Sequence, residues 1–320
     1  MVKFFVCIVV SFFLAISPLQ AQQNYPNKPL RLIVPFPAGG STDIVGRLMA
    51  NKLSIALGQP VVVENRSGAN GNIGTEALAR AAPDGHTLMI GGAANTINAT
   101  LYKNLSFDLL KDLTPFAMIG ITPNMMVVPI NSPANTPKEF ITWAKAQPGG
   151  INYASSGNGA STHMAAELFK QVTGVPMLHV PYRGSAAALA DLIPGRTQVM
   201  FDNMTSALQQ VKAGNLKALA LTGNARNPAI PDLPTLKEVG IDVEAETWFG
   251  LFVTGATSKD IVNRLNREVR AIVTQPEVKA KLIEFGMELR DMNPAQIQQF
   301  TESEVKKWGK VIEISGAKID

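Results

Sequence analysis

Two segments of this chain repeat one local pattern: a short β-rich run, a glycine-rich turn, a Ser-Thr pair and the start of a helix. Residues 32–34 lead into the turn at 35–43, and residues 152–154 lead into the turn at 155–163, 120 residues later. Glycine lets the backbone approach a ligand closely, and the free N–H groups and positive dipole end of a helix favour an anion. The repetition therefore predicts two anion-binding loops, one in each of two lobes, that face each other across a cleft.

These two loops supply most of the candidate ligand-binding residues. They are Phe36, Pro37, Ala38, Gly39, Gly40, Ser41, Thr42 and Asp43 in the first loop, and Ser155, Ser156, Gly157, Gly159, Ser161, Thr162 and His163 in the second. Asp43 has two interpretations, because an acidic residue in a first helical turn serves the helix itself as well as a ligand amine.

Neither loop matches a nucleotide-binding motif. Gly157-Asn158-Gly159 is similar to the start of a dinucleotide fingerprint, but Thr162 stands where the third glycine belongs. Neither loop ends in the Gly-Lys-Ser/Thr sequence that holds a triphosphate. The alternative for each loop alone is a tight connection between strand and helix without a ligand, and its occurrence in both halves of the chain argues against that alternative.

Two further strand ends place polar groups before predicted helices. Tyr182 and Gly184 follow one strand, where Tyr182 offers a hydroxyl or an aromatic wall and Gly184 a close backbone approach. Asp202 and Asn203 follow another strand in the same way. These four residues complete the candidate site, with simple packing of Tyr182 as the alternative.

The rest of the chain alternates short β-rich runs with longer amphipathic stretches, which predicts an α/β protein with mainly parallel sheets. One series runs from residue 30 to 91; a second begins with strands at 116–121 and 125–130 on either side of Pro123 and ends at 222. About 300 mature residues exceed the usual size of one core, which favours two domains. Two crossings between them predict a two-strand hinge, with helices around Ile261 and after Asn293-Pro294 as scaffold.

The predicted organisation is a signal peptide at 1–21, the first part of lobe 1 at 22–122, lobe 2 at 123–222 and the second part of lobe 1 at 223–320. The signal peptide rests on Lys3, an apolar core of about 13 residues and a short polar stretch that ends at Ala21. This core is shorter than the roughly 20 residues of a membrane span. We therefore expect export to the periplasm, with an uncleaved N-terminal anchor as the alternative.

Loss of the signal peptide also removes Cys7, the one cysteine of the chain, and Lys3. A mature chain without cysteine forms no disulfide and no zinc–thiolate site. Of the 29 Lys and Arg residues 28 would remain against 25 acidic residues, without a basic block, so nucleic acid is not an expected partner.

The sequence favours a binding protein over an enzyme. It has no Gly-x-Ser-x-Gly motif, and its three histidines, His86, His163 and His179, are scattered along the chain. Scattered histidines make a poor metal site, and the sequence predicts no catalytic residue, cofactor or metal. A structural bond from His163 to its loop is the preferred interpretation of that residue.

The chain closely resembles the Bug family, the TctC-like receptors of tripartite tricarboxylate transporters. The resemblance covers essentially the whole mature chain and rests on six motifs: residues 34–43, 83–88, 155–163, 180–184, 218–222 and 231–236. One departure is His86, where a tyrosine is common in the family. This position is remote from the predicted cleft.

The resemblance implies a two-lobed periplasmic binding fold of type II, the Venus-flytrap fold, that closes on its ligand. It implies a monomer that holds a mono- or dicarboxylic acid or an amino acid through backbone amides, Ser/Thr hydroxyls and bridging waters. The implied partners are TctA/TctB-like membrane subunits of the transporter. Two alternatives stay open: a sensory protein that reports a carboxylate to a membrane kinase, and a secreted hydrolase.

Overall fold

The computed structural model describes residues 25–315, so the predicted signal peptide at 1–21 lies outside the described residues. The strands are β1 (Leu30–Val34), β2 (Val61–Asn65), β3 (Thr87–Gly92), β4 (Leu113–Pro129), β5 (Ile151–Ser155), β6 (Met177–Pro181), β7 (Val199–Asn203), β8 (Leu216–Leu221) and β9 (Glu246–Thr254). The helices are α1 (Ser41–Leu57), α2 (Asn72–Ala79), α3 (Ala93–Leu101), α4 (Leu109–Asp112), α5 (Pro137–Lys145), α6 (Ser161–Thr173), α7 (Ser185–Leu192), α8 (Met204–Lys212), α9 (Lys259–Thr274), α10 (Pro276–Glu284) and α11 (Pro294–Ser315), with a 3₁₀ turn at Ala69–Gly71.

The strands form two half-sheets that share β4. The first half has the order β2-β1-β3-β9-β4, and the second has β4-β7-β5-β6 with β8 also paired to β4. The outer strands pair in parallel, as β1 does with β2 and β3, and β5 with β6 and β7. All pairs that involve β4 or β9 are antiparallel. The predicted two-lobed α/β fold is confirmed, with parallel outer strands and antiparallel strands where the lobes join.

The two strands predicted at 116–121 and 125–130 are one continuous strand, β4, that passes through Pro123. Proline lacks a backbone donor, which normally excludes it from a central strand. Here Pro123 lies opposite Glu246 of β9, while the next residue, Asn124, lies opposite Asn203 of β7. The missing donor thus falls where β4 changes partners. This change supports the lobe limits predicted around residues 122–123 and 222–223, which stay a prediction.

The two segments that connect the lobes are bonded to each other. The Asn124 N–H donates to Thr222 Oγ1 at 2.9 Å, and the Thr222 N–H donates to the Asn124 carbonyl at 2.9 Å. Both side chains are fully buried. The two connections therefore lie side by side where the lobes join.

Two C-terminal helices, α9 and α11, pack on elements of the first half-sheet or on the helix that follows it; their assignment to lobe 1 stays a prediction. Leu265 and Val269 of α9 are fully buried in the same core cluster as the first half-sheet. The last helix, α11, packs against α3 and buries Trp308. Asn293 caps this helix, because its Oδ1 accepts the Gln296 N–H at 3.0 Å. Within residues 25–315, no helix combines the length and the apolar character that a membrane crossing needs.

A steric prediction follows from the junction between β3 and β9. A Cβ atom built on Gly92 would lie 1.8 Å from the Trp248 carbonyl oxygen. We expect Gly92→Ala to lower the free energy of unfolding by more than about 2 kcal/mol, since overpacking forces the backbone to shift. Gly309→Ala in α11 is the control, because its Cβ would make only ordinary contacts with Thr100. Urea denaturation that gives equal stabilities for both variants would contradict the packing described for this junction.

Candidate functional site

Five helices begin at one cleft between the half-sheets. Their N-cap residues, Gly40, Gly92, Ala160, Gly184 and Asn203, all line it. The first N–H groups of a helix have no acceptor within the helix. In α1, α6, α7 and α8 the N-cap side chain supplies no capping hydrogen bond either. The cleft therefore collects unpaired backbone donors and the positive ends of five helix dipoles.

The positive character of this cleft comes from the backbone alone. None of the described residues that line it has a charged side chain. Its polar side chains are hydroxyls, one amide and one indole: Ser41, Thr42, Ser156, Ser161, Ser185, Thr247, Asn203 and Trp248. The enclosed volume is about 50 Å³, and a water molecule needs roughly 10–15 Å³ of such space. The lobes thus lie close together around a small space.

Most of the residues predicted from the sequence meet at this cleft or beside it. Those that line it are Phe36, Pro37, Ala38, Gly40, Ser41, Thr42, Ser156, Ser161, Gly184 and Asn203. Gly157 and Tyr182 line an adjoining groove. Gly39, Asp43, Ser155, Gly159, Thr162, His163 and Asp202 line neither space. The assignment of these residues to ligand binding stays a prediction.

Sequence reasoning missed two segments of the cleft. Gly91 to Ala94, at the junction of β3 and α3, follow the same pattern of strand, glycines and helix as the predicted loops, so the same rule would have identified them. Thr247, Trp248 and Phe249 of β9 also line the cleft. Their strand has no glycine-rich turn or helix after it, and nothing local distinguishes it as part of a site.

Asp43 holds the first loop in shape from inside. It is 3% exposed, and its Oδ2 accepts the Gly39 N–H at 3.0 Å and the Arg47 Nε–H at 2.9 Å. Its Oδ1 accepts from Asn65, which also donates to the Phe36 carbonyl at 3.0 Å. Burial opposes ionisation, but these hydrogen bonds outweigh it and hold the pKa of Asp43 below its usual value. Asp43 therefore positions the loop, and its carboxylate is already occupied.

The second loop rests on two histidines that are far apart in sequence. The rings of His163 and His179 stack with centroids 4.0 Å apart, and the Tyr153 ring stacks on His179 with centroids 4.8 Å apart. His163 Nδ1 accepts the Gly159 N–H at 3.1 Å, and His179 Nε2 lies 2.6 Å from Ser155 Oγ. The structural role predicted for His163 is thus observed. Its pairing with His179 was not visible in the sequence.

Both histidines are held neutral. Burial lowers the pKa of His163, and burial together with the neighbouring His163 and Lys170 lowers that of His179 to about 3. A neutral His163 is what the loop needs, because a protonated Nδ1 would face the Gly159 N–H as a second donor.

A buried carboxyl lies behind the cleft. Asp202 is fully buried at the end of β7, and it accepts hydrogen bonds from Ser185 Oγ at 2.6 Å and Ser206 Oγ at 2.5 Å. Burial raises the pKa of Asp202 to about 6, although the two serines and the Asn203 N–H favour the ionised form. Burial and hydrogen bonding therefore act on Asp202 in opposite directions. Burial favours the neutral acid, and the hydroxyl donors favour the carboxylate.

The lobes touch directly across the cleft. Ser41 Oγ of α1 lies 2.8 Å from Ser206 Oγ of α8, and a Cβ on Gly184 would lie 3.2 Å from Pro37. Beside the cleft runs a groove of about 400 Å³, which lies between the loop at residues 67–73 and residues 182–184. Phe36, Pro37, Ser156 and Gly184 line both spaces, so the cleft continues into the groove.

Known proteins match this chain over nearly its whole length. The model of the tripartite tricarboxylate transporter family receptor, TctC, matches residues 45–317. The structure of the periplasmic binding protein BugD is 33% identical, with a TM-score of 0.88, and covers 92% of this chain and 99% of that one. The resemblance to the Bug family is thereby confirmed.

Two related structures contain carboxylates. An R. palustris protein with adipate is 35% identical, with a TM-score of 0.89, over 92% of this chain and 100% of that one. MatC from Rhodopseudomonas palustris, with bound malate, is 30% identical, with a TM-score of 0.85, over 90% of this chain and 100% of that one.

The histidine pair predicts sensitivity to acid. His179 has a folded-state pKa of about 3 against about 6.5 in an unfolded chain. Its contribution to stability is therefore complete above pH 6.5 and is lost as the pH falls towards 3. One proton difference corresponds to a slope of about 1.4 kcal/mol per pH unit.

We expect His179→Gln to reduce the dependence of the unfolding free energy on pH between pH 6 and pH 4. The reduction should be about 1.4 kcal/mol per pH unit, which corresponds to one proton. Urea denaturation across that range measures it. Lost packing in the variant is independent of pH, so it changes the level of the curve and leaves the slope difference intact. Parallel curves for the two proteins would show that His179 is not held neutral by the fold.

Proposed function

Because this chain belongs to the tripartite tricarboxylate transporter receptor family, we propose that it is an extracytoplasmic solute-binding receptor. It captures a small carboxylate in the interlobe cleft of the periplasmic protein and delivers it to the membrane subunits of a tripartite tricarboxylate-type transporter. It works as a monomer and needs neither cofactor nor metal. The signal peptide at 1–21 would direct its export.

The meeting of five helix N-termini in a cleft without charged side chains carries this proposal. An anion near a helix N-terminus gains about 0.3–1 kcal/mol at exposed sites and up to about 2 kcal/mol when partly buried. Five termini that act on one carboxylate add several kcal/mol. Unlike an Arg or Lys clamp, they leave no counter-charge to be desolvated when the lobes close.

The shape of the site supports placing two parts of the ligand in two different spaces. The cleft is large enough for a carboxylate group and a few atoms, and the adjoining groove has room for the remainder of the molecule. Related structures hold adipate and malate, both dicarboxylates. We therefore assign one carboxylate of the ligand to the cleft. The rest of the molecule, a mono- or dicarboxylic acid or an amino acid, would lie in the groove beside Tyr182 and Asn70.

The geometry gives little support to a hydrolase. Ser155 and His179 are in hydrogen-bond contact at 2.6 Å, the one arrangement among residues 25–315 that is similar to a nucleophile and its base. Ser155 is fully buried, however, and neither residue lines the cleft or its groove. A substrate in the cleft would have no access to this pair, so we interpret it as support for the second loop.

Gly40 provides the sharpest test of the site. Its φ of −85° suits any residue, and a Cβ there would lie 3.9–4.0 Å from its nearest neighbours, Ser185 and Pro37. We expect Gly40→Leu to fill the cleft and abolish carboxylate binding. The stability loss should stay near the roughly 1 kcal/mol of a poor N-cap residue. Isothermal titration calorimetry against a panel of organic acids measures binding, and urea denaturation measures stability.

Two controls define the result. Gly309→Ala lies in α11, far from the cleft, and should bind as the unsubstituted protein does. Neutral amides of the same acids should bind at least tenfold more weakly, since they offer the helix ends no charge. Unchanged affinity in Gly40→Leu, or amides that bind as tightly as acids, would contradict the proposed site.

A further inference from the structure

A chain of three serines and one carboxylate crosses the cleft between the lobes. Ser185 and Ser206 each donate their hydroxyl hydrogen to the buried Asp202 carboxylate, at 2.6 Å and 2.5 Å. Ser206 Oγ also lies 2.8 Å from Ser41 Oγ in the opposite lobe. Ser206 has a weaker alternative acceptor in the Asn203 carbonyl at 3.1 Å. The shorter bond to a charged acceptor is the stronger one.

Each of these serine hydroxyls can donate only one hydrogen bond. A hydroxyl has one hydrogen and two lone pairs. With its hydrogen on Asp202, Ser185 presents only lone pairs to the cleft that it lines. Ser206 is occupied in the same way, so the shared hydrogen in the contact with Ser41 comes from Ser41. Ser41 Oγ is then also left with lone pairs only.

The hydroxyl groups of the cleft therefore differ in polarity. Around Ser185 and Ser41 the side chains offer acceptors, and a negative charge lies directly behind them. Elsewhere in the cleft lining, Ser161 Oγ accepts from Asn203 Nδ2 at 3.1 Å and keeps its own hydrogen for donation. A carboxylate suits the Ser161 hydroxyl and the helix N–H groups. An anionic oxygen placed against the Ser185 hydroxyl would instead meet lone pairs, with a buried charge behind them.

We propose that Asp202, acting through Ser185, makes the receptor selective for carboxylates that carry a hydrogen-bond donor next to the carboxyl group, such as 2-hydroxy and 2-amino acids. This inference rests on the proposed function and names the ligand class of the same site. The ligand donor bonds to Ser185 Oγ, and its carboxylate faces the helix N-termini. Asp202 does not touch the ligand; it is a positioning residue that fixes the direction of the Ser185 hydroxyl.

The pKa of about 6 for Asp202 leaves its carboxyl ionised at pH 7.5, which is the form that requires Ser185 to donate. A protonated Asp202 would donate to one serine and reverse its polarity. An asparagine at this position does the same at every pH, because its amide offers donors as well as an acceptor.

Matched ligand pairs test the selectivity. Calorimetric titrations at pH 7.5 compare malate with succinate and lactate with propionate, since the members of each pair differ only in the 2-hydroxyl. For the unsubstituted protein we expect the hydroxy acid to bind at least tenfold more tightly in a pair that binds. In Ser185→Ala the ratio should fall to within about threefold, because the ligand hydroxyl loses its acceptor. Asp202→Asn should lower the ratio and improve the affinity for the plain acid.

The control is Ser303→Ala, at an exposed position of α11, which should keep the full ratio. If Asp202→Asn does not fold, Ser185→Ala decides alone. A ratio near one in the unsubstituted protein, or an unchanged ratio in Ser185→Ala, would overturn the selectivity while leaving carboxylate binding intact. If no acid of either kind binds, the proposed function fails and the selectivity fails with it.

Discussion

Unpaired backbone N–H groups at the starts of five helices are the constraint on which the rest of this structure depends. Buried amides without acceptors are costly, and here they are gathered at one cleft whose described lining residues have no charged side chain. An anion satisfies several of them at once. The arrangement explains why the strands of both lobes end at the same place, and why glycine or alanine stands at four of the five N-caps.

Three buried titratable groups, Asp43, His163 and Asp202, lie behind this cleft and shape its lining. Asp43 ties the first loop to α1 through the Gly39 N–H, and His163 ties the second loop to α6 through the Gly159 N–H. Asp202 orients serines from behind. Each loop therefore has a fixed shape that depends on one buried group in a definite protonation state. This preorganisation leaves less ordering to be done when a ligand binds.

The α/β class, the two glycine-rich loops and the C-terminal scaffold helices were predictable from the sequence, because each depends on local signals. Glycine before a Ser-Thr pair marks a helix start, and Asn293-Pro294 marks another. The features that were predicted wrongly or missed depend on tertiary contacts. Pro123 suggested a break between strands, yet β4 continues through it because its partners change there. The strand β9 has no flanking turn signal, and its contribution of Thr247 to Phe249 comes only from its place beside β3 and β4.

The stacking of His163 on His179 and the bond from Ser41 to Ser206 were equally invisible in sequence, since they join residues 16 and 165 positions apart.

A crystal structure with the tightest-binding carboxylate would test whether the helix N-termini of the interlobe cleft hold the anion. We expect carboxylate oxygens about 3 Å from first-turn N–H groups of helices in both lobes, among them those of α1 and α6. A carboxylate held by an Arg or Lys side chain, or bound outside the interlobe cleft, would contradict it.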